Sequence, residues 1–105
     1  AQSLGALQVD LTRTPVDCYA VHGYKWLLSP TGAGFAYVSP ELRARVPATV
    51  IGWRSHKDWR NVDHLHHGTP EFVSKAEKYE GGMITFEVLY AMEQSLDLML
   101  RIGTG

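Results

Sequence analysis

A chain of 105 residues that is 45% hydrophobic with a net charge of -1 has the make-up of one small globular unit, which excludes the disordered and fibrous classes. Ten basic residues against eleven acidic ones leave no excess positive field for nucleic acid or an anionic membrane surface, and no run reaches the roughly 18 apolar residues that a membrane helix needs. The single cysteine, Cys18, cannot build a disulfide framework and suits a reducing, cytoplasmic compartment, and no charged-then-apolar leader opens the chain.

Residues 1–15 mix Gly5, Asp10, Thr12 and Pro15 with short apolar pieces and read as a connection with one helical turn. Residues 16–21, Val-Asp-Cys-Tyr-Ala-Val, are short, apolar and aromatic and predict a largely buried strand. A second strand of the same character is predicted over residues 34–38, Gly-Phe-Ala-Tyr-Val, between Gly32 and Ser39-Pro40. Ser39-Pro40 is a helix start signal, so residues 41–46 predict a short helix that ends before Pro47. Residues 48–80 hold Trp53, Trp59 and four of the five histidines without sustained periodicity and predict a long ordered loop, with one strand near residues 48–53. Over residues 86–101 the apolar positions Phe86, Leu89, Tyr90, Met92, Leu96, Met99 and Leu100 recur at helical spacing. They predict an amphipathic helix whose single apolar stripe makes core contacts, with Thr85 as N-cap and Gly103 ending it.

Chemistry is concentrated in one stretch, where the first strand runs into His22-Gly23-Tyr24-Lys25 and Pro30-Thr31-Gly32-Ala33-Gly34 turns the chain into the second strand. A loop at a strand's end is a usual place for a functional group. Lysines are mostly solvated surface residues, but Lys25 is followed by Trp26-Leu27-Leu28, and apolar surroundings favour the neutral amine that Schiff-base chemistry needs. Gly32 and Gly34 are expected to serve the turn, since an isolated Gly-x-Gly without a following helix is a weak phosphate signal.

The run from Asp17 to Val38 resembles the cofactor-lysine segment of the class V aminotransferases, the group that includes cysteine desulfurases, kynureninase and isopenicillin N epimerase-like enzymes. The resemblance implies an α/β fold, a segment of the fold type I large domain of pyridoxal 5'-phosphate (PLP) enzymes. In it the second strand lies antiparallel to the first, with a C-terminal amphipathic helix and with residues 1–105 as one unit, a fragment of the larger domain. It implies PLP as cofactor, an amino acid as substrate, and Lys25 as the residue that holds the cofactor covalently and moves the substrate's α proton. His22 and Tyr24 would donate to the cofactor phosphate. Gln2 ends an element similar to the family's Asp-x-Ala-Gln, and its side chain would contact the cofactor's phenolic oxygen. Lys78-Tyr79-Glu80-Gly81-Gly82 is similar to the family's Arg-Tyr-Glu-x-Gly, which places Gly82 at the phosphate of a neighbouring subunit's cofactor. Here the sequence departs from the family's pattern: Met83 stands where a threonine is usual and Thr85 where an asparagine is usual.

Other groupings carry less. Asp63-His64-Leu65-His66-His67 has no cysteine or second carboxylate at a zinc-site interval, so a solvated loop and no metal are expected. Cys18 is expected to be a small buried hydrophobe. Trp53-Arg54, Lys57 and Trp59-Arg60 have the elements of a single-strand nucleic-acid platform, but without net positive charge no nucleic-acid partner is expected. Strand edges and apolar faces that a small domain cannot cover alone predict a homo-oligomer. The alternative to an enzyme segment is a noncatalytic fold fragment or assembly module that retains the signature without a complete site.

Overall fold

The computed structural model describes residues 1–64 and 68–103. These divide into two compact units, Ala1–Tyr37 with Thr85–Gly105, and Val38–Ile84.

In the first unit a two-stranded sheet pairs β1 (Cys18–His22) with β2 (Gly34–Val38). The Gly23 N–H donates to the Ala33 carbonyl at 2.9 Å, and Gly34 packs against the Val21 carbonyl, so the end of β1 meets the start of β2 and the strands run antiparallel. β2 has the predicted bounds. β1 begins two residues later than predicted and reaches His22, because pairing with the five residues of β2 sets its length. The predicted burial is corrected: of the ten strand residues only Val21 is buried, and Cys18 is exposed, since among the described residues no further strand joins this two-stranded sheet. Residues 1–15 form turns as expected, and in one of them Thr12 donates from its backbone N–H (2.8 Å) and its hydroxyl (2.6 Å) to one Asp10 oxygen. Those two bonds, the hydroxyl's first, hold the exposed Asp10 carboxyl below the ordinary carboxylate range.

The long helix α2 (Phe86–Ile102) forms where the periodicity places it and ends at Gly103, whose N–H donates to the Met99 carbonyl at 2.8 Å. Thr85 precedes it but makes no side-chain capping bond. Met92 on α2 joins Val21, Leu27 and Ala33 in the core, with Leu4, Tyr19, Val88, Leu96 and Met99 packed around them. The single-stripe expectation is corrected here too. Phe86, Tyr90 (65% exposed) and Leu100 (81% exposed) lie in water, and the core contacts of α2 are made by Val88, Met92, Leu96 and Met99.

In the second unit α1 (Pro40–Arg45) begins as expected: the Ser39 hydroxyl accepts from the Leu42 N–H at 3.1 Å and Pro40 fills the first turn. The strand predicted near residues 48–53 does not form. Residues Trp53–Ser55 wind into a 3-10 turn, as do Val62–His64 and Ala76–Tyr79, and an antiparallel bridge joins His56 to Phe72. Among the described residues no helix is long and apolar enough to cross a membrane.

Candidate functional site

The loop that carries Lys25 is closed by its own backbone. The Leu28 N–H donates to the Lys25 carbonyl (3.1 Å), the Ser29 N–H to the Gly23 carbonyl (3.0 Å), and the Ala33 N–H to the Pro30 carbonyl (3.4 Å). Gly32 takes φ +98°, which only glycine adopts without strain, so its expected role in the turn is met. Leu28 also takes a positive φ, 55°. Its carbonyl accepts from the Ser95 hydroxyl on α2 at 2.9 Å, which ties the loop to the helix. Of the expected apolar trio after the lysine only Leu27 enters the core; Trp26 and Leu28 face water.

Three of the predicted site residues come together. The His22 and Tyr24 rings meet edge to face at 5.5 Å, and the half-buried Lys25 holds Nζ 5.6 Å from the Tyr24 ring centroid. Lys25 makes no ion pair among the described residues, so its amine is not neutralised by a carboxylate. Gln2 is exposed beside β1, where the Ala1 amino group donates to the Ala20 carbonyl. Gly82 belongs to the other unit.

Around Gly82 the chain is held by contacts that sequence reasoning missed. Arg54 Nη2 donates to Glu80 Oε2 at 2.7 Å, and Lys78, 8% exposed, donates from Nζ to the Arg43 and Val46 carbonyls. Gly52 packs so closely on Gly81 that a Cβ would lie 1.3 Å from the Gly81 oxygen. The tryptophans and basic residues weighed as a nucleic-acid platform make contacts within the chain: both Arg54 (4.5 Å) and Arg60 (4.2 Å) stack on the Trp59 ring, and Lys57 and Arg60 pair with Glu71 and Glu77. In the histidine cluster, His66 and His67 lie outside the described residues. Among the described residues no three His, Cys, Asp or Glu side chains gather where they could hold a metal ion.

Comparison with known proteins extends over the same segment. The family model for aminotransferase class-V matches residues 1–104. Isopenicillin N epimerase of Streptomyces clavuligerus is 43% identical over 53 residues, which are 50% of this chain and 13% of that protein. A probable cysteine desulfurase of Methanothermobacter thermautotrophicus is 28% identical over 103 residues, 98% of this chain and 24% of that protein. Among solved structures, the cystine C-S lyase C-DES in complex with its reaction product cysteine persulfide has a TM-score of 0.82 at 29% identity, covering 98% of this chain and 26% of that one. A C-DES mutant with glycine covalently linked to its PLP cofactor has a TM-score of 0.81 at 27% identity over the same shares. The chain thus spans about a quarter or less of the length of these relatives. The antiparallel strand unit and C-terminal helix are those of a fold type I PLP-enzyme segment, as expected. On the family match over nearly every residue and a backbone shared along almost its whole length, this chain belongs to the class-V aminotransferase family.

Proposed function

We propose that this chain is the cofactor-lysine segment of a PLP-dependent enzyme that acts on an amino acid, with Lys25 as the attachment point. The observation that carries the reading is the half-buried Lys25 amine, unpaired with any carboxylate among the described residues and standing beside two side chains that can donate hydrogen bonds, His22 and Tyr24. That set fits the group: a primary amine for its carbonyl and two donors for its phosphate. On the resemblance, Gln2 is assigned to the cofactor at Lys25 and Gly82 to the phosphate of a neighbouring subunit's cofactor. PLP, when bound, supplies an electron sink for chemistry at the substrate's α-carbon. What the protein adds is Lys25 Nζ as the base that moves the proton at that carbon, with His22 and Tyr24 as phosphate donors. Transamination, desulfuration or elimination, and epimerisation all need that proton transfer, and the reading is held at that level.

Added PLP followed by borohydride reduction and peptide mapping is expected to label Lys25 in preference to the exposed Lys57 and Lys75, and least of all the buried Lys78. Equal labelling of Lys25, Lys57 and Lys75 would remove the assignment and support the alternative, a fold module without a site.

We further propose a homo-oligomer, on the exposed apolar side chains Phe35, Phe86, Tyr90 and Leu100. Light scattering at high concentration is expected to give a mass above one chain, and a monodisperse monomer rejects the proposal.

A further inference from the structure

The solvent side of α2 carries a stripe that is symmetric about Glu93. Leu89 and Tyr90 lie four and three residues before it, and Leu96 and Asp97 lie three and four after it. Phe86 stands seven before and Leu100 seven after. Steps of three, four and seven return to one side of a helix, so these positions share a face about 21 Å long. They line one groove of about 570 Å³, in which Leu89 and Leu96 are half-buried and the others exposed. An interface between two copies related by a two-fold axis needs a patch complementary to itself. A stripe with this symmetry meets that need when two helices run antiparallel.

The charges at the helix ends agree with that direction. Glu87 lies in the first turn of α2 and Arg101 in the last. Antiparallel pairing sets the acidic end of one copy beside the basic end of the other and opposes the two helix dipoles, whereas parallel pairing would set like charges side by side.

We infer that two copies of this chain associate through α2, packed antiparallel about an axis at Glu93. This rests on the homo-oligomer reading above and says which of the exposed apolar surfaces is the interface. About that axis Phe86 meets Leu100 of the second copy, Leu89 meets its Leu96, and the Tyr90 hydroxyl can donate to its Asp97 carboxylate. Glu93 meets Glu93. It has no ion-pair partner among the described residues, so the axis carries an uncompensated like-charge contact that weakens the pair.

Sedimentation equilibrium of the whole chain reads the dissociation constant. Leu100→Glu, at a position too exposed to disturb the core, is expected to raise it at least about tenfold. Glu93→Gln removes the like charges at nearly constant size and is expected to lower it about fivefold. Leu98→Glu, also exposed but off the stripe, is expected to change it by less than about twofold. The register is read by cross-linking with copper phenanthroline in a Cys18→Ser background, since Cys18 is itself exposed. Glu93→Cys is expected to link two chains rapidly, and Glu87→Cys slowly, because its two copies would stand about 18 Å apart along the helices. An oligomer whose dissociation constant is unmoved by Leu100→Glu and Glu93→Gln, or which links Glu87→Cys as fast as Glu93→Cys, overturns the α2 interface and leaves the homo-oligomer reading standing. A monodisperse wild-type monomer at high concentration defeats the homo-oligomer reading, and this inference falls with it.

Discussion

Gly52→Ala is expected to unfold the unit of residues 38–84. A Cβ at Gly52 would stand 1.3 Å from the Gly81 carbonyl oxygen and 2.3 Å from its carbon. Both partners are backbone, so no side chain can rotate away, and one strand of chain must move bodily. That movement separates Ser55 from the Glu80 carbonyl and pulls Arg54 from the Glu80 carboxylate. Overpacking of this kind costs on the order of 3–5 kcal/mol, a large share of the stability of a small domain. Gly82→Ala is the control: its Cβ would meet only Trp53, at 3.7 Å, and the expected cost is about 1 kcal/mol or less. Urea denaturation followed by tryptophan fluorescence reads both variants, since Trp53 and Trp59 lie in this unit. Equal midpoints for Gly52→Ala and Gly82→Ala would show that the close approach of the two backbones does not hold in solution.

Lys78→Met is expected to cost about 2–3 kcal/mol. The ammonium group is buried, and it donates to the Arg43 carbonyl and, at 2.8 Å, to the Val46 carbonyl at the end of α1. Methionine has nearly the same length and no donor, so the Arg43 carbonyl loses the partner that Lys78 supplies and the helix end loses a positive charge where its dipole is negative. The Val46 carbonyl keeps the Tyr79 hydroxyl at 2.9 Å, so Tyr79→Phe alone is expected to cost less, about 1 kcal/mol. A helix of six residues does not persist on its own, and this lysine is therefore a main support of α1. Amide exchange over residues 43–46 is expected to accelerate strongly in Lys78→Met and slightly in Tyr79→Phe. Unchanged exchange in Lys78→Met would show that α1 does not depend on the lysine.

The contrast between these two positions and Lys25 shows what was legible in the letters. α2 and β2 were readable because each is specified by neighbours in sequence: a 3.6-residue repeat in one, a turn-bounded apolar run in the other. The lysine loop was readable through its resemblance and its turn chemistry, and His22, Tyr24 and Lys25 do meet. Periodicity marks an apolar stripe but not how much of it a neighbour covers, so Phe86, Tyr90 and Leu100 were expected in a core that reaches only Val88, Met92, Leu96 and Met99. Residues 48–80 were opaque for a different reason. Gly52 on Gly81, Arg54 on Glu80 and Lys78 on the end of α1 are single contacts between distant positions, and no local pattern encodes them.

The uncovered apolar side chains also bear on how stability varies with temperature. Unfolding raises the heat capacity in proportion to the apolar surface it newly wets, and that rise curves the stability of a protein against temperature. In this chain Phe35, Phe86, Tyr90, Leu100 and Ile102 are wet before unfolding begins. While these side chains stay uncovered, the increment in heat capacity is expected to be small for the chain's length and the stability curve correspondingly flat. Cooling then adds little to the folded state, and warming removes little per degree; covering the same side chains in an oligomer would steepen the curve.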